Sequence, residues 1–340
     1  MRRLSYCILL LFSLASVSRV SAKGFVLSIG LSALDPNHYG TNIQTLSGPE
    51  QDASDMLDTA TKSLQCKGQI LLNKKATRSA VFNSIQLASS DLVSNDIFIV
   101  FFSGHGGEIP DSKADAKNGM DQTWCLFDAQ LLDRELYSQW ATFREGVRIV
   151  VISDSCHSEG ISKLMFDAIE VATLTEHADD KTNNNILDYV DPDTYGLADT
   201  AIERENDRRN NTERLLHRKV KSLSVEKALS VWEKNKDFYL NLIAHINSPS
   251  FPIPARVLSM SACEDDKEAA DAGDFRNSVF TSALLSIWDG AQFQGSYIFY
   301  FNNVRDQAST LNPKQIATRR MIDKNDDAFW GLRPYTSPAP

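Results

Sequence analysis

The chain has 340 residues, of which 42% are hydrophobic, 23% charged and 9% aromatic, with 16 Gly and 11 Pro. Those proportions exclude collagen, a coiled-coil rod, a disulfide-dense miniprotein and a wholly disordered chain, and leave material for one large α/β domain or two small ones. The charge balance is 35 basic against 44 acidic residues, a net of −9, which repels phosphate groups and argues against general binding to nucleic acid or an anionic membrane.

The first 22 residues read as a secretory leader: Arg2 and Arg3, then an apolar run from Tyr6 to Ala15, then the small-residue end Val20-Ser21-Ala22. The run is short for a bilayer span, so the expectation is a secreted or periplasmic protein without a stable membrane segment. Cleavage after Ala22 removes Arg2, Arg3 and Arg19 and takes the net charge from −9 to −12. Cys66, Cys125, Cys156 and Cys263 stay in the mature chain, too few for a disulfide framework, although two disulfides are the plain alternative in an oxidising compartment.

Along the mature chain, Gly24–Leu31 reads as a first buried strand. A helix follows from about Glu50 to Leu64, then a short strand at Gln69–Leu72. Thr77 caps a helix that carries Val81, Ile85, Leu87 and Leu92. An unbroken apolar run from Asp96 to Phe102 stops at Ser103-Gly104-His105-Gly106-Gly107, and residues 108–122 are polar and read as a loop. Trp124–Phe127 is a short strand and Asp133–Phe143 a helix. A second apolar run, Val147–Ile152, stops at Ser153-Asp154-Ser155-Cys156-His157. From about 162 to 250 the pattern loosens into a charged and partly helical insertion. The core resumes with a strand at Arg256–Ser261 and helices at Ser278–Trp288 and near Tyr297–Ala308; 334–340 reads as a tail. Apolar strands alternating with amphipathic helices imply an α/β fold, a mostly parallel sheet covered on both faces.

Loops at the carboxyl ends of parallel strands line the ligand crevice of such sheets. Two of those ends carry reactive groups here, His105 and Cys156, which are 51 residues apart. If the two strands are neighbours, imidazole and thiol come within reach, and a cysteine needs such a partner to react as a thiolate at neutral pH. The glycines beside His105 permit a sharp turn. The amides of Gly106 and Cys156 can together stabilise an oxyanion. Alternatives are a structural His105 with Cys156 buried or in a disulfide, and zinc held by His105, Cys156 and His157, for which further ligands at suitable spacing are missing.

These residues resemble the caspase-like cysteine peptidases, specifically those of metacaspase type. The resemblance rests on pieces that keep the family's order: Leu46–Ala53, Phe102–Gly106, Gly119–Asp121 before Trp124–Asp128, Asp154–Ser158, Ser261–Asp266 and Phe280-Thr281. It implies a caspase-like three-layer α/β sandwich over 23–333. It also implies an endopeptidase with Cys156 as nucleophile and His105 as base and acid. Its substrates would be proteins or peptides cut after Arg or Lys, received by Asp52 and Asp154 with Ser103 beside them. A carboxylate two residues before the nucleophile independently favours a cationic side chain. No cofactor is required on this reading. Calcium is an optional activator, for which Asp111, Asp115 and Asp121 offer hard oxygen ligands. Relatives also self-cleave, and the basic run Arg204, Arg208, Arg209, Arg214, Arg218, Lys219 offers sites. One departure stands out: Ser158 is followed by Glu159 before Gly160, where the family has glycine directly. That leaves two alternatives, a weakened caspase-fold module that binds or scaffolds, and a non-peptidase hydrolase or transferase on the same frame.

Overall fold

The computed structural model describes residues 23–110, 120–156, 218–246, 253–264, 268–321 and 327–336. The expected leader, Asp111, Asp115, His157, Glu159 and the basic residues from Arg204 to Arg214 lie outside them.

Six strands form the main sheet: β1 (Gly24–Gly30), β2 (Lys67–Leu72), β3 (Ile97–Ser103), β7 (Arg148–Asp154), β8 (Arg256–Ser261) and β9 (Thr318–Met321). Their order is β2-β1-β3-β7-β8-β9, all parallel except the last pair. From β1 the chain goes first to β2 on one side and then to β3 on the other. That reversal of direction opens a crevice at the carboxyl ends of the central strands.

Alternation along the strands sends side chains to two separate layers. On one side Ile97, Ile99, Phe101, Val150, Ile152, Leu258 and Met260 pack with α2 (Pro49–Leu64), α7 (Val279–Trp288) and α8 (Tyr297–Leu311). On the other, Phe98, Val100, Phe102, Ile149, Val151 and Val257 pack with α3 (Arg78–Asp91) and α4 (Asp133–Trp140). The expected three-layer α/β architecture is present. Among the described residues no helix is long and apolar enough to cross a membrane.

Three differences from the sequence reading have physical reasons. Residues 108–110 and 120–122 are not loop but the ends of an antiparallel pair, β4 (Gly106–Pro110) with β5 (Met120–Cys125), completed by β6 (Gln130–Leu132). Asp121, Gln122, Thr123 and Gln130 are buried, and Thr123 Oγ1, for example, donates to Gln130 Oε1 at 2.6 Å. Leu87 is 57% exposed, because the buried stripe of α3 runs Val81, Ser84, Ile85, Ala88 and leaves position 87 outside. Tyr335, expected in the tail, is fully buried with its hydroxyl 3.1 Å from that of Tyr300. The remaining helices are α1 (Pro36–Tyr39), α5 (Val225–Lys234), α6 (Lys236–His245) and α9 (Asp327–Trp330).

The phase of α3 predicts two different outcomes. Ile85→Ala lowers unfolding free energy by about 2–5 kcal/mol through lost burial and a residual cavity. Leu87→Ala stays within about 0.5 kcal/mol as an exposed substitution. Denaturant titration of both variants checks the assignment, and equal losses contradict it.

Candidate active site

β3 and β7 are hydrogen-bonded neighbours in a register that sets Ser103 opposite Asp154. His105 and Cys156 each follow two residues later, so they leave the sheet side by side. Both are buried, at 1% exposure. The small sheet begins at Gly106, directly after His105, and the Cys125 N–H donates to the His105 carbonyl at 3.0 Å. The hairpin is pinned to β3 and β7 by Trp124, which stacks on Phe102 at 4.7 Å and donates from Nε1 to Ser153 Oγ at 2.8 Å. The imidazole is therefore carried on braced backbone.

His105 Nε2 lies 2.6 Å from the Gln44 carbonyl. A carbonyl only accepts, so Nε2 carries the proton in the neutral ring and Nδ1 holds the lone pair. Nδ1 is buried without a hydrogen-bond partner. Burial pulls the imidazole pKa below its usual value against the opposing pull of the Gln44 carbonyl. A neutral ring with one bare nitrogen is a proton acceptor at neutral pH. The Cys156 sulfur accepts from the Ala269 N–H at 2.9 Å. None of Cys66, Cys125, Cys156 and Cys263 forms a disulfide.

Gly106 and Cys156 approach so closely that a Cβ on Gly106 would sit 1.8 Å from the Cys156 carbonyl oxygen. Only glycine fits there. The consequence is a pair of converging amides: the N–H groups of Gly106 and Cys156 both donate to the Lys221 carbonyl oxygen, at 2.9 and 3.1 Å.

The other three sequence-derived residues, Asp52, Ser103 and Asp154, line one buried pocket with that same Lys221. Its ammonium lies 3.1 Å from Asp154 Oδ1 and 3.5 Å from Asp52 Oδ2, and donates to Ser103 Oγ and Ser278 Oγ at 2.8 Å each. Ser103 Oγ bonds Asp52 Oδ2 at 2.8 Å, the Ser278 N–H donates to Asp52 Oδ1 at 2.9 Å, and Thr281 Oγ1 donates to Asp154 Oδ2 at 2.6 Å. Burial raises the Asp52 carboxyl to about 6, with Lys221 opposing the rise and Asp154 adding to it. Burial disfavours the Lys221 charge, yet Asp154, Asp52 and Asp271 outweigh it and raise the ammonium pKa. The buried pocket holds a cation by Coulomb attraction.

The pocket also contains residues that the sequence reading passed over. Ser278 precedes α7 and Thr281 lies in its first turn; of the two only Thr281 fell within a quoted motif. Gln44 acts through its backbone, which no side-chain pattern reveals. Lys221 sits just past the basic run and within a stretch read as helical. Of the proposed calcium ligands, Asp121 is described, and its carboxylate pairs with Arg134 in a buried ion pair.

The family model for the caspase domain matches residues 33–323. The chain belongs to the caspase-domain family. Among curated relatives, Metacaspase-1B of Neosartorya fischeri is 30% identical over 278 residues, covering 77% of this chain and 59% of that protein. Metacaspase-1 of Schizosaccharomyces pombe is 25% identical over 300 residues, covering 83% of this chain and 61% of that protein. The chain thus spans less than two thirds of the length of these relatives. The crystal structure of protein GSU0716 from Geobacter sulfurreducens superposes with a TM-score of 0.69 at 28% identity, covering 93% of this chain and 99% of that one.

The buried charge cluster predicts a large effect from a small change. Asp154→Asn leaves the Lys221 ammonium with one carboxylate in a buried pocket, which costs about 3–5 kcal/mol. Denaturation at neutral pH measures it, and a loss below about 1 kcal/mol contradicts the pairing.

Proposed function

We propose that this caspase-domain protein is a cysteine endopeptidase that cuts protein or peptide chains after Lys or Arg. The observation that carries the reading is the seating of a lysyl residue: its carbonyl oxygen at the two amides and its ammonium between two carboxylates. Those are the two things a peptidase must hold, the oxygen that becomes negative and the side chain that fixes register.

In this reading Cys156 attacks the carbonyl carbon that follows the basic side chain. His105 takes the thiol proton on Nδ1 and returns it to the departing amine. Gly106 and Cys156 N–H groups receive the oxyanion. Asp52 and Asp154 bind the cation, and Ser103 and Ser278 orient it by hydrogen bonds. Arginine suits the same carboxylates, since guanidinium and ammonium are both held by charge-assisted hydrogen bonds. The leader-like residues 1–22 support export of the enzyme. No residue in this scheme needs a metal, and calcium activation would act outside it.

Cys156→Ala is expected to lower kcat/KM on a Lys or Arg reporter by roughly 10⁴-fold or more, as loss of a nucleophile does. A variant that cleaves as fast as the wild type contradicts the reading, and a wild type that cleaves no peptide favours the scaffold alternative. Because burial lowers the His105 pKa, the base form persists to more acidic pH. The acid limb of kcat/KM should therefore have its midpoint below pH 6.5; a midpoint above 7 contradicts this assignment.

A further inference from the structure

Asp271 is a fully buried carboxylate that takes no part in the scheme above. We infer that it is a positioning residue, which links the seating of a substrate's backbone to the placement of the His105 base; this rests on the peptidase reading above.

Asp271 ends a short stretch that touches both the nucleophile and the peptide beside it. The Ala269 N–H donates to the Cys156 sulfur at 2.9 Å. The Lys221 N–H donates to the Ala269 carbonyl at 3.0 Å, Val220 bridges antiparallel to Ala270, and the Asp271 N–H donates to the Lys219 carbonyl at 2.8 Å. An extended peptide held this way is gripped by its main chain, whatever its side chains. A substrate with its lysine in the acidic pocket therefore brings the carbonyl two residues upstream to the Asp271 N–H.

The Asp271 side chain bonds a different element, the turn that starts α2. Oδ2 accepts from the Ser47 N–H at 2.6 Å and from Ser47 Oγ at 2.9 Å, and Oδ1 accepts from the Gly48 N–H at 2.8 Å. Gly48 occupies the cap position of α2 and has no side chain to offer, so the acceptor comes from Asp271 instead. Nothing larger fits at Gly48: a Cβ there would lie 2.8 Å from Ser278 Oγ and 3.0 Å from Asp271 Oδ1. Burial pushes the Asp271 carboxyl up, but the Ser47 and Gly48 N–H groups and Lys221 outweigh it and hold its pKa below the usual carboxylate value.

Ser47 is three residues from Gln44, whose carbonyl lies 2.6 Å from His105 Nε2. Between them the Leu46 N–H donates to the Ser32 carbonyl at 3.0 Å. Residues 44–48 are thus held at the middle by Ser32 and at the end by Asp271. A shift of about 1 Å in a reacting group can cost roughly 10²-fold in rate. One residue therefore binds the substrate's backbone through its N–H and, through its carboxylate, the turn that orients the imidazole. Asparagine cannot replace it, because one of the two accepting oxygens becomes an NH₂ group facing an N–H donor. A carboxylate that only capped α2 would stabilise the fold and leave the relative rates of two substrates unchanged.

The test is kcat and KM of wild type, Asp271→Asn and Ser47→Ala on acetyl-Lys and acetyl-Ala-Val-Lys reporters with the same leaving group. Both reporters place lysine in the pocket and its N–H at Ala269, and only the longer one reaches the Asp271 N–H. Alanine in place of Lys219 leaves out that residue's contact with the Thr45 carbonyl. The Asp271 charge also favours the lysine ammonium, which affects both reporters alike. Wild type should turn over the longer reporter with a kcat higher by roughly 10-fold or more. In Asp271→Asn the two kcat values should converge while KM still favours the longer reporter, since the backbone N–H remains. Ser47→Ala removes only the Oγ bond and should reduce the kcat advantage without abolishing it; this variant decides the matter if Asp271→Asn does not fold. A general loss of folded enzyme would lower both kcat values in proportion and keep their ratio. An unchanged ratio in the deciding variant, or no kcat advantage in wild type, overturns the positioning role and leaves the peptidase reading standing. A wild type that cleaves neither reporter overturns both.

Discussion

The site depends on the register of two neighbouring strands. β3 and β7 pair so that Ser103 faces Asp154, and both strands end at that level. A shift of one residue would turn every side chain to the opposite layer, which the burial of both faces forbids. With the register fixed, His105 and Cys156 emerge together, Asp154 points into one pocket with Ser103, and Cys156 backs onto Gly106. The apolar residues of the strands thus determine where polar chemistry occurs, although none of them takes part in it.

Three charges buried together would be costly if they were poorly satisfied. Here each has fixed donors or acceptors: Ser103 and Ser278 on Asp52, Thr281 on Asp154, and two hydroxyls on the Lys221 ammonium. The upward shift of Asp52 shows the opposite side of the balance, two carboxylates at one site with burial against them. A cation is what the pocket lacks when empty. On the proposed reading, selectivity for a basic side chain and occupation by the chain's own lysine arise from the same electrostatics. The acidic excess of the whole chain has a local counterpart here, but its value is set by burial and not by net charge.

Much of this was legible in the sequence because it lies in long apolar runs that stop abruptly. The ends of β3 and β7 bring a Gly-His-Gly and a Ser-Asp-Ser-Cys to one edge, and the parallel α/β class follows from alternation. What stayed hidden has common causes. The β4–β5 pair has the polarity of a loop, yet its polar residues are satisfied in the interior: Asp121 pairs with Arg134, and Thr123 donates to Gln130. β9 carries Thr318, Arg319 and Arg320 at a sheet edge and shows no apolar pattern; charged edges protect against unwanted pairing. Leu87 missed the buried stripe by one position. Contacts made by backbone, such as Gln44 to His105 or Asp271 to Gly48, leave no trace in side-chain chemistry. Lys221 is not legible in the sequence because a basic residue in a charged stretch normally faces solvent, and only the fold shows its ammonium enclosed.

On the proposed reading, Asp52 and Asp154 select a cation for attack by Cys156. Its most direct test is kcat/KM on peptides that differ only in the residue before the cut: Lys, Arg, Gln or Asp. The account predicts Lys and Arg to exceed Gln and Asp by about 10²-fold or more, since a neutral or acidic occupant leaves two buried carboxylates uncompensated. Equal rates across the four, or a preference for Asp, would contradict it.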